Sequence, residues 1–381
     1  MIKIYFLQYE NIMYKLKKLF YYLFNDPKYI KSYLNYKIKS NQSIFLVFFR
    51  YIFGIFSNSV TNTNKSSLLF VYDLELNPLT FNFGQHLANA IIYAKKNSLK
   101  NIDLQIIKSG SLNPIKTKKL KLYMSEHEAD NRVFELIVST FRLCQIANNL
   151  YLSEHNDNNV KKILNNYKHI YPEGYSVYKP IPCPYKLPNV EASIFFPMFQ
   201  ANLRSKEIIN KYLENFKDKK IITFTFRDLK HMENRNSQYG EWVKFSEYLI
   251  KKNYHIFLIP DPLNYNPKSF DKFQGCHIAE IVLWNINLRA ALHEYAFLNC
   301  SISSGIFEVS SCYNQNSDSL MFVDFNSYGK EYLEFGRKNW GFKDTIYQKW
   351  MSISQSYVYK KDNFENMVTA FNDLLDKKNL N

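Results

Sequence analysis

Cysteine is scarce in this chain, and its spacing argues against two common kinds of structural site. The 381 residues contain five cysteines and no C-x-x-C pair. An odd, scattered set of this kind disfavours a disulfide framework and a zinc centre, and it favours a reducing compartment. We therefore expect a cytoplasmic protein. The cysteines are Cys144, Cys183, Cys276, Cys300 and Cys312.

Long apolar runs are also missing. A helix that crosses a bilayer needs about 18–20 mostly apolar residues. The best candidate, residues 43–56, is shorter and is interrupted by Arg50. The N-terminus lacks the compact apolar core and the small-residue cleavage site of a signal peptide. We expect neither a membrane-spanning helix nor a signal peptide.

Glycine accounts for only 10 residues, and the usual catalytic fingerprints are absent. The chain has no G-x-G-x-x-G, G-x-x-x-x-G-K-[ST], G-x-S-x-G or H-E-x-x-H. These motifs bring a backbone close to phosphates, expose a nucleophilic serine or hold zinc. Their absence disfavours dinucleotide-binding enzymes, P-loop enzymes, serine hydrolases and zinc peptidases. We expect no cofactor.

Positive charge is abundant, and it is concentrated near the N-terminus. The formal net charge is +15, and residues 1–60 contain nine basic and two acidic residues. Residues 14–24, YKLKKLFYYLF, place lysines among bulky aromatics at helical spacing. This pattern is typical of a segment on the anionic inner face of a membrane. Two helices packed on the next domain would show the same pattern, so both interpretations stay open for the predicted extension, residues 1–62.

Strand and helix patterns alternate along the rest of the chain. SLLFVYDL predicts a buried strand, and the helix after it places Phe83, Leu87 and Ile91 on one face. Repeated strand–helix pairs are typical of parallel sheets with right-handed crossovers. The sequence therefore predicts an α/β fold with two Rossmann-like domains facing a cleft. The predicted units are residues 63–205, residues 206–340 and a C-terminal helical segment, 341–381, that packs back across the first domain.

Polar residues follow the predicted strands of the second domain, and the helix before the third of these strands carries Arg289 and Glu294. Ligands of open parallel sheets bind beyond the carboxyl ends of the strands. Arginines neutralise phosphate, Ser-Ser-Gly before a helix offers N–H groups to an anion, and a glutamate can accept hydrogen bonds from ribose hydroxyls. This set predicts a nucleoside-diphosphate site. Arginines in surface ion pairs and an ordinary Ser-Ser-Gly turn would show the same pattern, so that interpretation stays open. The candidates are Arg227, Arg235, Asn236, Ser237, Asp261, Arg289, Glu294, Ser303, Ser304 and Gly305.

The same stretch resembles the nucleotide-sugar-binding half of GT-B-type glycosyltransferases, the type found in bacterial surface-polysaccharide synthesis. The resemblance covers residues 65–330 as architecture and 220–310 as motifs: a strand followed by Arg227, then RNS, a strand ending in Pro-Asp, NLRAALHEYA and SSG. It implies transfer of a sugar from a nucleoside-diphosphate sugar to a glycan or lipid-linked acceptor. Arg227, Arg235 and the helix start at Ser304 would stabilise the leaving diphosphate.

Two features depart from that family. The glycine-rich loop of the first domain is reduced to FNFGQH with the single Gly84, and Glu294 and Glu308 are the only candidates for the glutamates of retaining enzymes. No Asp-x-Asp occurs, and its nearest look-alike, residues 156–158, contains one carboxylate. We therefore expect a metal-independent mechanism.

The general base would come from the first domain, across the cleft. Asp73 and His86 are the better placed candidates, ahead of Glu126 and His127. Two other hypotheses stay open: a nucleic-acid-binding protein, because the chain is basic and rich in tyrosine, and a catalytically inactive nucleotide-sugar-binding scaffold. Because the charge is diluted outside the N-terminus, we expect no specific nucleic-acid partner.

Overall fold

The two-domain α/β prediction is confirmed by a computed structural model of the chain. The structure describes residues 64–108, 130–154, 158–177, 179–185, 198–229, 233–327, 334, 352 and 354–379. The predicted extension, residues 1–62, and the candidate bases Glu126 and His127 lie outside these ranges. Two sheets organise the described residues, and all strand pairs within them are parallel.

The first domain contains a four-stranded sheet in the order β3-β2-β1-β4. The predicted helix after the first strand is present, and Phe83, Leu87 and Ile91 are buried. The elements are β1 (Asn64–Asp73), α1 (Asn82–Lys96), β2 (Asn101–Lys108), a π-helical segment (Val133–Val138) that continues into α2 (Ser139–Phe141), β3 (Ala147–Glu154), α3 (Asn158–Asn165) and β4 (Tyr167–Tyr171).

The second domain contains a six-stranded sheet in the order β10-β9-β8-β5-β6-β7. Numbered within the domain, this is the Rossmann order, and the chain reverses direction across the sheet between β5 and β8. The elements are α4 (Leu203–Tyr212), β5 (Lys220–Thr225), α5 (Tyr239–Lys251), β6 (Tyr254–Ile259), β7 (His277–Ile278), α6 (Ile286–Tyr295), β8 (Leu298–Ile302), α7 (Gly305–Phe307) continuing as a π-helix (Glu308–Cys312), β9 (Ser319–Phe322), β10 (Gln355–Val358) and α8 (Phe364–Asn379).

The carboxyl edges of the two sheets face each other. The start of α1, which follows β1, packs against the helix that follows β8. A Cβ atom added to Gly305 would lie 2.5 Å from Cβ of Phe81, and one added to Gly84 would lie 2.5 Å from Cγ2 of Val309. One hydrophobic cluster also contains side chains from both domains. This arrangement places the helix start at Ser304 beside the first domain.

The C-terminal segment differs from the prediction. Instead of a helix packed on the first domain, it provides strand β10 at the edge of the second sheet and helix α8 on the same domain. Met367, Phe371 and Leu374 of α8 lie in the core that α5 also covers. The predicted boundary at 205/206 falls inside α4, which packs against α6. In the described part of the chain, no helix is long and apolar enough to cross a membrane.

Candidate functional site

A pocket of about 270 Å³ lies at the carboxyl edge of the second sheet, beside the point where the strand order reverses. Three of the ten predicted residues line it: Arg235, Asn236 and Ser303. Four strand ends contribute side chains to it. The lining residues are Asn234, Arg235, Asn236 and Gln238 after β5, Ile302 and Ser303 at β8, Phe322, Asp324, Asn326 and Ser327 at β9, and Lys361 and Asp362 after β10.

The loop after β5 is held by short-range hydrogen bonds that begin at Arg227. The N–H of Arg227 donates to Oγ of Ser237 (3.0 Å), and the N–H of Ser237 donates to the carbonyl of Arg227 (3.0 Å). Asn236 accepts from the N–H of Leu229 (2.9 Å). Arg227 and Ser237 are both buried. These contacts fix the loop, and Arg235, four residues before α5, lies in the wall of the pocket.

Asp261 supports the same loop from the neighbouring strand β6. Its Oδ2 accepts from the N–H of Asp228 (3.3 Å), and its Oδ1 accepts from the N–H of Leu263 (3.1 Å). Burial raises the pKa of the Asp261 carboxyl, and these two hydrogen bonds oppose that rise. The Asp261 carboxylate therefore holds the backbone of the loop after β5 and the turn after β6.

Ser303 and Ser304 connect strand β8 to the next helix, of which Ser304 is the N-cap. The N–H of Ser303 donates to the carbonyl of Phe322 (2.8 Å), which ties this turn to β9. Ser304 has extended backbone angles, and its Oγ caps the helix by accepting from the N–H of Phe307 (3.4 Å). Position 305 has room only for glycine, because a methyl group there would overlap Phe81. A helix start at a strand end is a favourable place for an anion.

Asp324 and Lys361 line the pocket, and the sequence analysis missed both. Oδ1 of Asp324 accepts from the N–H of Asn326 (2.9 Å). Asp324 lies two residues after β9, so the rule that ligands bind beyond the carboxyl ends of parallel strands could have identified it. Lys361 follows β10, a strand that the sequence analysis did not predict. Across the mouth of the pocket, Nδ2 of Asn234 donates to the carbonyl of Ser327 (2.7 Å).

Arg289 and Glu294, two further predicted ligands, are used elsewhere. Arg289 is 1% exposed, and its guanidinium donates to the carbonyls of Val282 (3.3 Å) and Leu283 (3.0 Å). Burial lowers its pKa to about 10, and nearby Asp261 opposes this shift. The structure therefore places Arg289 in the interior, where it ties α6 to the segment before it.

Glu294 joins three parts of the chain. Its carboxylate accepts from the N–H of Ala201 (2.6 Å) and from Nδ2 of Asn314 (2.6 Å), and it pairs with Lys206 (2.6 Å). Its oxygens are therefore engaged in holding the domain connection, and it does not line the pocket at the strand ends.

The two predicted general bases lie in the interior of the first domain. Asp73 is fully buried, and its carboxylate accepts from the hydroxyl of Tyr175 (2.8 Å) and the N–H of Glu75 (2.9 Å). His86 is also fully buried, with Nδ1 3.2 Å from the carbonyl of Pro184. The structure does not bring either side chain to the pocket.

Glu308 is a titratable group one turn beyond the helix start. It is half-buried, and its carboxylate accepts from the hydroxyl of Tyr357 (3.1 Å). Burial raises its pKa to about 7, while hydrogen bonds from Tyr357 and Tyr313 oppose the rise. The next residue along the helix, Val309, packs against Gly84 of the first domain.

No family model and no curated protein matches the chain. Among solved structures, it is similar to a glycosyl transferase of family 9 from Veillonella parvula, with 9% identity and a TM-score of 0.42 over 84% of this chain and 99% of that one. It is similar to E. coli heptosyltransferase WaaC in a complex with ADP-2-deoxy-2-fluoro heptose, with 10% identity and a TM-score of 0.36 over 82% and 99% of the two chains. For the NodZ α-1,6-fucosyltransferase soaked with GDP-fucose, the identity is 10%, the TM-score 0.30 and the coverage 65% and 94%. The assignment of two Rossmann-like domains rests on the chain's own parallel sheets and strand order.

Proposed function

We propose that the chain is a GT-B-type glycosyltransferase. It moves a sugar from a nucleoside-diphosphate sugar to a hydroxyl of a glycan or lipid-linked acceptor in cell-surface polysaccharide synthesis. The observation that carries this proposal is the pocket at the strand reversal of the second sheet, lined by Arg235, Asn236 and Ser303. Open sheets of this order bind nucleotides at that position.

The pocket offers complementary groups to the two ends of a nucleotide. Arg235 supplies a guanidinium for the diphosphate, and the helix start at Ser304 and Gly305 supplies a partial positive charge. Asp324, at the end of β9, supplies a carboxylate that accepts hydrogen bonds from ribose hydroxyls. Cations and N–H groups placed at the leaving diphosphate stabilise the charge that develops there, which supports a metal-independent transfer.

In this proposal, the acceptor binds on the side of the first domain. As the acceptor oxygen forms its bond to the anomeric carbon, the bond from that carbon to the diphosphate breaks, and the nucleoside diphosphate leaves. The acceptor proton passes to a base or to water. We assign the base to neither Asp73 nor His86, because both are fully buried. Residues 1–60, with their concentrated basic charge, would hold the enzyme on an anionic membrane surface.

Nucleotide-induced stabilisation tests the donor site. We would measure the melting temperature of the purified chain with UDP, GDP, CMP and ADP. A ligand at about 100 times its Kd stabilises a fold by roughly 2.7 kcal/mol, a shift of a few degrees. The shift should be lost in Arg235→Ala. The matched control is Arg204→Ala, because Arg204 is an exposed arginine on α4 that pairs only weakly with Glu207 at 3.6 Å.

The outcomes separate the hypotheses. A shift with one nucleotide, kept in Arg204→Ala and lost in Arg235→Ala, supports the donor site. Release of that nucleoside diphosphate from its sugar nucleotide, unaffected by EDTA, then supports metal-independent transfer, whereas binding without turnover points to the inactive scaffold. No shift with any nucleotide, together with salt-dependent binding of single-stranded RNA, would refute the proposal in favour of a nucleic-acid-binding protein.

A further inference from the structure

The segment between β10 and α8 lines the pocket together with the loop that contains Arg235. Lys361 and Asp362 lie in this segment, and both line the pocket. The C-terminal segment therefore does more than extend the sheet, because it contributes side chains to the same pocket as the ends of β5, β8 and β9.

Asp362 fixes this segment to the loop after β5. The carboxylate is buried, and its Oδ2 accepts from the indole Nε1 of Trp242 (2.8 Å) and from the N–H of Gln238 (3.0 Å). A second tie lies next to it, where Oε2 of Glu241 accepts from the N–H of Phe364 (2.9 Å). Gln238 is three residues after Arg235, so the backbone around Lys361 is anchored close to the arginine.

Two cations, Arg235 and Lys361, and two carboxylates, Asp324 and Asp362, line the pocket. Lys361 is exposed and forms no ion pair with any residue in the described ranges, and its charge acts on the nearby carboxylates of Glu241 and Asp362. Of the two pocket carboxylates, Asp362 is occupied by Trp242 and Gln238, and Asp324 stands at the end of β9. An ammonium group on a long side chain binds phosphate as a mobile point charge, which complements the planar guanidinium of Arg235.

We propose that Lys361 is a second cationic ligand of the donor diphosphate, presented by the C-terminal segment, and that Asp362 is the positioning residue that holds it. This inference rests on the proposed function, and it adds to the donor diphosphate a contact from the C-terminal segment of the second domain. It also makes the β10–α8 unit part of the donor site.

The chain offers a matched pair of lysines for the test. Lys360 and Lys361 are adjacent and both exposed, but only Lys361 lines the pocket. We would measure the Kd of UDP, GDP, ADP, CMP and pyrophosphate by calorimetry for the full chain, Lys360→Ala, Lys361→Ala and Lys361→Arg. Melting temperatures without ligand would check folding, and we expect them to agree, because exposed lysines contribute little to stability.

Loss of a charge-assisted contact to phosphate should weaken binding about tenfold in Lys361→Ala. Lys360→Ala should bind like the unaltered chain, and Lys361→Arg should keep most of the affinity. Equal affinities for Lys360→Ala and Lys361→Ala, with a nucleotide still bound by the unaltered chain, would overturn this inference and leave the donor site standing. If the unaltered chain binds none of the five probes, the proposed function fails, and this inference fails with it.

Discussion

The close approach of the two domains can be tested at Gly84. This glycine lies in the first turn of α1, and a Cβ atom there would be 2.5 Å from Cγ2 of Val309. Carbon atoms do not approach to that distance without displacement of one group. Val309 is 1% exposed and its β-branched side chain has few alternative rotamers. Gly84→Ala should therefore strain the contact that holds the carboxyl edges face to face.

Gly240 provides the reference for the size of this effect. It lies in the first turn of α5, and an added Cβ would meet nothing within 4 Å. Replacing a helical glycine with alanine gains up to about 1 kcal/mol where the site has room. Overpacking costs about 1–3 kcal/mol. Because the intrinsic gain is similar at both sites, Gly84→Ala should be less stable than Gly240→Ala by about 1–3 kcal/mol.

Urea unfolding of both variants measures this difference. The double variant Gly84→Ala/Val309→Ala should recover part of the loss, because the new methyl group then fills space that the valine leaves. An interaction free energy above about 0.5 kcal/mol in the double-mutant cycle would support direct contact. Equal stabilisation by Gly84→Ala and Gly240→Ala, or simple additivity in the cycle, would refute the close packing of α1 on the helix after β8.

Two further predictions concern buried polar groups. The pKa of Glu308 in the folded chain is about 7, above the ordinary value of 4.5, so folding favours the protonated carboxyl. The free energy of unfolding should therefore be higher at acid pH and fall as the pH rises through 7, by on the order of 2 kcal/mol. Urea midpoints at pH 5.5 and 8 should show this slope, and Glu308→Gln should remove it; an unchanged slope in the variant would contradict the assignment. Trp242→Phe removes the indole donor to buried Asp362 and should cost about 1–3 kcal/mol, whereas the control Tyr248→Phe, which breaks a 3.4 Å bond to Asn372 at the surface, should change stability by less than about 0.5 kcal/mol. A loss in Trp242→Phe no larger than that in the control would count against the indole bond.

The hydrophobic pattern was sufficient to predict most of the sheet and helix order. The helix α1 has a continuous buried face, β5 alternates Ile222 and Phe224 with Thr223 and Thr225, and β6 consists mostly of large apolar residues. β10 was missed for a physical reason. It is four residues long, QSYV, and its first residue, Gln355, is fully buried with its amide nitrogen within hydrogen-bond distance of three carbonyl oxygens. A polar residue satisfied in this way cannot be distinguished from a loop residue in the sequence.

Charged residues caused the opposite error in the site. Arg289 and Glu294 lie on α6, the helix before β8, and the sequence analysis predicted that both contact the ligand. In the fold, Arg289 is satisfied by two backbone carbonyls and Glu294 by an amide, an asparagine and a lysine. Sequence position alone cannot tell a charge that is paired inside the protein from one that awaits a ligand. The distinction depends on which partners the tertiary fold brings within hydrogen-bond distance.

The strand-end rule succeeds for the pocket because parallel strands deliver their carboxyl ends to one edge, whatever their order in the chain. Arg235, Asn236 and Ser303 meet there although β5 and β8 are more than seventy residues apart in the chain. The same rule extends to Asp324 and, once β10 is recognised as the sixth strand, to Lys361. The pocket is therefore a consequence of strand order, and a side chain from the last sixty residues belongs to the site for the same geometric reason as one from the first strand of the domain.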